Sequence, residues 1–396
     1  MNILFFWVAQ FVDQSSGMER VLCNFANNRN HKGDHVSVAY CTEVDGKPYF
    51  ALDNQIGLYN LLDFGDAKRW ESKPYLTPRK KIGRELIRLF NSRKAKDFEL
   101  YIKAEYLSPM IRELLKKCKP DIIISFEPKS TFYMQQALKQ LHCRVPLVTM
   151  FHFSMENAFD VSSEVEREAV LQSDCVQVLT QSDKQSLKQI LPECHVSYIP
   201  NVVPQYKLDQ NKKGNSHIIL NVGRLDAQQK RQHILLEAFG KVAGDYPEWK
   251  VELLGEDRDG GQYIARLNRI ISRYHLEDRV SIHKPVKDVL GHYQSAAFFA
   301  FPSAYEGFPL AMTEAMSAGL PVVGIKSCTA VAEIIENGKD GILTDDSIDA
   351  FALGLQKLMA DDSLREKWGE NAHISMKEYA PDKVWEKWDS LIQRLI

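Results

Sequence analysis

Two glutamates in the second half of the chain could bind hydroxyl groups beside a phosphate site. Both lie in the stretch 305–319, YEGFPLAMTEAMSAG. Glu306 directly precedes Gly307, and Glu314 follows eight residues after Glu306. A helix expected to begin near Pro309 would present unpaired backbone N–H groups, which bind phosphate without a metal. Carboxylates at this position suit sugar hydroxyls because their oxygens accept hydrogen bonds. Considered alone, such a pair is more often one acid at a helix N-terminus and one solvated acid.

Two cations follow an expected strand in the same half of the chain. Arg224 comes directly after Gly223, and Lys230 lies six residues later, where a helix is expected to begin. Together they could neutralise a diphosphate, since Arg binds phosphate as a fork and Lys as a point charge. Two ordinary surface cations would give the same pattern, so these residues alone leave both interpretations open.

Four further positions could take part in binding or metal chemistry. Gly17, in the turn SSGMER, would let the backbone approach an anion closely. His152 follows an apolar strand and should lie at its carboxyl end, although a lone histidine is more often structural. Asp257 and Asp259 form one Asp-x-Asp in a polar loop, which we interpret as solvated. The sequence contains no GxGxxG, which argues against a dinucleotide oxidoreductase, and no HExxH or Walker A loop.

The elements that must position these residues alternate as short apolar strands and helical patterns, which is typical of parallel sheets. A polar stretch at 204–216 separates two series of six strands. The predicted strands are 3–9, 35–41, 121–126, 145–151, 174–180, 196–199, 217–222, 249–254, 279–283, 297–301, 321–325 and 341–343. Helical periodicity fills much of 80–117, and a last helix is predicted at 381–395. We therefore expect an α/β protein of two doubly wound domains, with ligands beyond the strands' carboxyl ends in an interdomain cleft.

Length, charge and cysteine content narrow the class of protein. A chain of 396 residues predicts two or three domains. Lys and Arg total 50 against 52 Asp and Glu, which argues against bulk nucleic-acid binding. Seven cysteines without a CxxC pair indicate neither a disulfide framework nor a structural zinc site, and favour a reducing cytosol. The apolar start of the chain predicts a buried strand, and no apolar run reaches the roughly 20 residues that span a bilayer.

The segment 68–103 is strongly basic, with twelve cations against four anions. Within it, Ile82, Leu86, Leu89 and Phe90 recur at helical spacing among arginines. A basic amphipathic helix of this kind suits anionic lipid headgroups or a lipid-linked diphosphate. A core-packed helix with a solvated basic face would give a similar pattern.

Taken together, these residues resemble the retaining glycosyltransferases of family 4, which have the GT-B fold of two Rossmann-like domains facing across a cleft. The resemblance covers nearly the whole chain and rests on the order of its fragments. Those fragments are 16–21, 200–201, 223–225 with Lys230, 306–310, 314–316, 318–323 and 337–341. Two departures stand out: Ser16 where many members have a second glycine, and 284–286 where a glycine is usual.

The resemblance implies a role for each candidate residue. Glu306 would contact hydroxyls of the donor sugar, and Glu314 the nucleotide ribose. Arg224 and Lys230 would hold the donor diphosphate, and His152 would lie near the donor sugar. The remaining donor-binding positions are loop or backbone positions: Gly17, Gly307, Phe308, Pro309 and Leu310 near the phosphates, and Val286 near the base.

The implied activity is metal-independent transfer, with retention, of a hexose or N-acetylhexosamine to a growing, lipid-linked cell-surface glycan. The donor would be a nucleotide diphosphate sugar, with a UDP-sugar favoured, and no cofactor is implied. Residues 1–205 would bind the acceptor, 206–378 the donor, and 379–396 would cross back to the first domain. The enzyme would be cytoplasmic and touch the plasma membrane through 79–96, without nucleic acid. Alternatives are a soluble-acceptor transferase, a UDP-sugar epimerase and a catalytically silent sugar-binding module.

Overall fold

The chain folds into two compact units. The computed structural model describes residues 1–64, 73, 75–153, 163–208, 216–286 and 288–396. One unit comprises Met1–Ile199 with Glu386–Ile396, and the other comprises Pro200–Trp385. Most of the polar stretch expected as a linker, 209–215, lies outside the described residues, as do Lys68 and Arg69 of the basic segment.

The first unit contains a parallel sheet of seven strands. They are β1 Asn2–Phe6, β2 His35–Tyr40, β3 Gly57–Asn60, β4 Ile122–Ser125, β5 Leu147–Met150, β6 Cys175–Val178 and β7 Val196–Tyr198. The spatial order is β3-β2-β1-β4-β5-β6-β7. The strand order reverses between β1 and β4, and such a reversal opens a crevice at the carboxyl ends of the two strands.

Helices cover this sheet and close its core. They are α1 Gly17–His31, α2 Pro78–Phe90, α3 Ser92–Cys118, α4 Pro128–Leu141, α5 Glu164–Leu171 and α6 Gln181–Ile190. Every residue of β4 and β5 is buried, which explains their continuous apolar sequences. Leu107 and Ile111 of α3 pack with Phe132 of α4 in the main hydrophobic cluster.

The second unit repeats this arrangement with six parallel strands. They are β8 Ile218–Val222, β9 Lys250–Leu254, β10 Val280–His283, β11 Phe298–Phe301, β12 Val322–Ile325 and β13 Gly341–Thr344, in the order β10-β9-β8-β11-β12-β13. The helices that follow are α7 Gln232–Val242, α8 Gln262–Arg273, α9 Leu290–Ser295, α10 Leu310–Ser317, α11 Thr329–Ile334, α12 Ile348–Ala360, α13 Asp362–Ser375 and α14 Pro381–Leu395. Trp249 lies fully buried in the core. Here the order reverses between β8 and β11.

The twelve strands predicted from the sequence are all present, and the expectation of two Rossmann-like parallel-sheet domains is confirmed. One strand, β3, was not predicted, because it is short, partly exposed and not apolar. The helical structure predicted over much of 80–117 is present, and it is divided into two helices, α2 and α3. The chain is extended at Asn91, whose side chain accepts a hydrogen bond from Lys94 N at 3.0 Å and so starts α3.

The end of α14 belongs to the first unit. Arg29 forms ion pairs with Asp34 and with Asp389, both at 2.5 Å. Trp388 is 3% exposed and packs against Phe25, with ring centroids 4.4 Å apart. These contacts fasten the chain terminus to α1.

Candidate active site

The second unit brings Lys230 and Glu306 together as an ion pair. Lys230 Nζ lies 2.5 Å from Glu306 Oε1, and the two side chains are 18% and 7% exposed. The same ammonium lies 5.2 Å from the centre of the Phe301 ring. Glu306 follows β11 and Lys230 follows β8, so the pair lies at the reversal of strand order, where open α/β sheets bind ligands.

Hydrogen bonds join the two loops that carry this pair. Gln229 Nε2 donates to Tyr305 O at 3.2 Å, and Gln229 O accepts from Ala304 N at 2.8 Å. The neighbouring Arg231 donates through Nε to Pro302 O at 3.0 Å. Because these bonds connect the loop after β8 to the loop after β11, they fix where the ion pair lies.

Arg224 lies on the exposed side of the same loop. Its guanidinium donates to Gln229 Oε1 at 2.9 Å and lies 3.4 Å from Asp226 Oδ2. The side chain is 40% exposed, which leaves it accessible to an incoming anion. Gln229 therefore contacts both the loop of Glu306 and Arg224, although the sequence pattern gave it no role.

Glu314 is held on α10 and points into the unit. It is 3% exposed, and its Oε2 accepts a hydrogen bond from the Tyr293 hydroxyl at 3.2 Å. Pro309 is the N-cap residue of α10, and Phe308 O accepts from Leu310 N at 2.9 Å. The helix thus begins directly after Gly307-Phe308, as expected, and leaves the N–H groups of Ala311 and Met312 in its first turn for an anion. Sequence reasoning gave no signal for Tyr293.

Gly17 and His152 belong to the first unit. Gly17 is the first residue of α1, after the N-cap Ser16, whose hydroxyl donates to the buried Glu19 carboxylate. His152 follows β5, and its ring stacks on Phe126 at a centroid distance of 5.1 Å. Among the described residues no group hydrogen-bonds to His152 Nε2, although this atom is buried.

Burial lowers the pKa of His152 to about 4. Burial also lowers the pKa of His233 to about 4, and its Nδ1 lies 2.9 Å from the Tyr263 hydroxyl. Both imidazoles are therefore neutral near pH 7. A neutral His152 can exchange hydrogen bonds with sugar hydroxyls but cannot supply a positive charge.

The free energy of unfolding should fall as the pH falls from about 6.5 to about 4, because histidines in the unfolded chain take up protons that His152 and His233 do not. Each histidine contributes at most about 1.4 kcal/mol per pH unit. Urea titrations across this range measure the slope. The slope should be smaller in a His233→Asn variant, and an unchanged slope would contradict a neutral His233.

The other sequence candidates are the Asp-x-Asp carboxylates and Val286. The carboxylates of Asp257 and Asp259 accept from the backbone N–H groups of Gly261 and Tyr263, so they cap the start of α8 and are not simply solvated. Val286 lies partly buried in the loop after β10. Within the described ranges, no three His, Cys, Asp or Glu side chains converge as metal ligands would.

Comparison with known proteins identifies both halves of the chain. Residues 15–205 match the family model for Glycosyltransferase Family 4, and residues 203–374 match that for Glycosyl transferases group 1. An uncharacterized glycosyltransferase of Haemophilus influenzae is 24% identical over 386 residues, which is 96% of this chain and 97% of that protein. The amylovoran biosynthesis glycosyltransferase AmsD of Erwinia amylovora is 30% identical over 224 residues, 55% of this chain and 61% of that protein.

Solved structures agree with this fold. A crystal structure of an S. aureus TarM variant in complex with fondaparinux, α-GlcNAc-glycerol and UDP aligns with a TM-score of 0.74 at 14% identity, over 99% of each chain. The two family models cover most of both Rossmann-like units, with the Lys230–Glu306 pair inside the second match. The chain is therefore a glycosyltransferase that belongs to family 4 and has the GT-B fold.

Proposed function

We propose that the protein transfers a hexose or N-acetylhexosamine from a nucleotide diphosphate sugar, with retention and without a metal ion. The observation that carries this proposal is the Lys230–Glu306 pair at the reversal of strand order, next to the start of α10. Cations, a carboxylate and helix N–H groups meet here, and these are the groups that a sugar diphosphate needs.

In the proposed reaction, Lys230, Arg224 and the first turn of α10 stabilise the departing nucleoside diphosphate. Negative charge develops on its oxygens as the glycosidic C–O bond breaks, so preorganised positive groups lower the barrier. Glu306 binds hydroxyls of the donor sugar and Glu314 the ribose. The acceptor hydroxyl approaches the face that the diphosphate leaves, and its proton passes to a phosphate oxygen.

Donor binding must change the Lys230–Glu306 contact. At 2.5 Å the ammonium and the carboxylate neutralise each other. A diphosphate would compete for Lys230 and free Glu306 to accept hydrogen bonds from the sugar. Because the diphosphate binds Lys230 and the sugar binds Glu306, only the complete nucleotide sugar satisfies both side chains. The site should therefore bind the complete donor more tightly than the free nucleotide.

We further propose a growing, lipid-linked cell-surface glycan as the acceptor, used by a cytoplasmic enzyme in peripheral contact with the plasma membrane through 79–96. The resemblance to AmsD, which is named for amylovoran biosynthesis, supports a polysaccharide acceptor. The TarM structure contains UDP, which supports a UDP-sugar as donor. In the described part of the chain, no helix has the length and apolarity to span a membrane.

UDP-sugars should raise the melting temperature more than GDP- or ADP-sugars at equal concentration. A ligand at 100 times its Kd stabilises the folded state by about 2.7 kcal/mol, which a thermal-shift panel resolves. Transfer is then measured with the best donor, with and without a chelator. A donor that is epimerised without any acceptor would overturn the transferase assignment. Equal shifts for all three bases would contradict a preference for UDP.

A further inference from the structure

The largest group of exposed apolar side chains on one described helix belongs to α2. Ile82, Leu86, Leu89 and Phe90 are 62%, 55%, 79% and 90% exposed. Leu86, Leu89 and Phe90 follow Ile82 by four, seven and eight residues, so the four side chains form one stripe along the helix. Across the described residues of α2, no side chain is buried. This apolar face of α2 therefore does not serve the core of the unit.

The opposite face of α2 is fastened to α3. Arg84 is 15% exposed and donates to Glu99 Oε2 on α3 at 2.8 Å and to Glu85 Oε1 at 2.6 Å. Lys80 Nζ also reaches Glu105 of α3 at 2.9 Å. These ion pairs fix the orientation of α2, so the apolar stripe faces away from α3. Arg84 therefore belongs to the face of α2 that contacts α3 and not to the apolar stripe.

Exposed cations accompany the apolar face. Arg79, Lys81 and Arg88 are all exposed, and α2 contains five cations in total against a single carboxylate. That carboxylate, Glu85, is engaged by Arg84 and lies 3.5 Å from Arg88. The exposed side of α2 thus combines a continuous apolar stripe with a net positive charge.

The helix ends where its largest apolar side chains are most exposed. Leu89 and Phe90 form the last turn, and the chain then becomes extended at Asn91 before α3 begins. Phe90 is 90% exposed and directly precedes this extended residue. Its side chain can therefore enter an interface without movement of the helix.

We propose that the apolar face of α2 docks on an anionic lipid bilayer, with Leu89 and Phe90 entering the acyl boundary and Arg79, Lys81 and Arg88 contacting lipid phosphates. Protein interfaces are depleted of lysine, whereas a helix in the plane of a membrane surface carries Lys and Arg beside its apolar residues. The charge of α2 complements the anionic inner leaflet. The inference rests on the proposed membrane-bound acceptor for its biological purpose.

Co-sedimentation of the full chain with vesicles tests the docking. Binding should be clear with vesicles of phosphatidylglycerol and phosphatidylcholine and weak with phosphatidylcholine alone, and salt should reduce it. Replacing Leu89 and Phe90 by serine should lower the partition coefficient between vesicles and water at least about tenfold, because each replacement removes apolar area that the bilayer would bury. Replacing Arg79 and Lys81 by alanine should lower it only for anionic vesicles.

Matched controls come from exposed residues elsewhere in the chain. Leu353→Ser with Ile374→Ser, and Lys188→Ala with Lys250→Ala, should leave vesicle binding unchanged. Binding unaffected by the Leu89 and Phe90 changes would overturn the proposal, as would a concentration-dependent dimer that those changes abolish. Transfer to a soluble acceptor should be unchanged in all these variants. Loss of docking and failure of the proposed activity are therefore separate results.

Discussion

Glu306→Gln and Lys230→Ala should each reduce turnover at least about 100-fold while the protein stays folded, because each removes a charged group aimed at the reacting donor. The side chains lie 2.5 Å apart at the carboxyl ends of β8 and β11. Replacing Lys230 removes charge stabilisation of the leaving diphosphate. The change at Glu306 removes an acceptor for sugar hydroxyls and leaves Lys230 without its partner.

Turnover of a nucleotide sugar by each purified variant measures the effect, with circular dichroism to verify folding. Glu366→Gln and Lys367→Ala are matched controls, since both residues are exposed on α13. Residues that act on one donor should not give additive losses, so the double variant should lose less than the product of the two single losses. Near wild-type rates in either single variant would contradict the role assigned to that residue.

Trp388→Ala should destabilise the first unit by about 3–5 kcal/mol, the range for truncating a buried tryptophan. Trp388 is 3% exposed and packs on Phe25 of α1, and Asp389 beside it pairs with Arg29. We therefore expect the last helix to contribute to the stability of the first unit. Urea unfolding should become biphasic as the first unit loses stability.

An Ile396→Ala variant provides the control for this experiment. Ile396 is 61% exposed at the same end of the chain, so its truncation should change the free energy of unfolding by less than about 0.5 kcal/mol. A Trp388→Ala protein as stable as the Ile396→Ala protein would show that the last helix contributes little to the first unit.

The strands of both sheets could be predicted from the sequence for a physical reason. Strands of a parallel sheet covered on both faces are apolar throughout, so they stand out from the helices between them. The residues after β8 and β11 meet because the carboxyl ends of neighbouring parallel strands share an edge. The sequence pattern did not predict the contact between Lys230 and Glu306, since it depends on β8 and β11 being neighbours in the sheet. Their roles in catalysis stay predictions.

Other features depend on contacts that no local pattern encodes. The break at Asn91 interrupts a run of good helix formers, and it depends on one side-chain cap. Gln229 and Tyr293 are ordinary polar residues in the sequence and gain a role only when two loops or two helices meet. Arg84 resembles its neighbouring arginines, and only Glu99 on α3 distinguishes it. Such pairings arise from tertiary structure.

The configuration at the anomeric carbon of the product is the most direct test of the proposed mechanism. Proton NMR of the glycoside formed by chelator-treated enzyme from a UDP-sugar and an acceptor gives this configuration from the anomeric coupling constant. We predict that the product has the same anomeric configuration as the donor and that the chelator does not slow its formation. The Lys230→Ala variant should form no product on the same timescale. An inverted product, or a reaction that stops until a divalent metal is restored, would contradict the account.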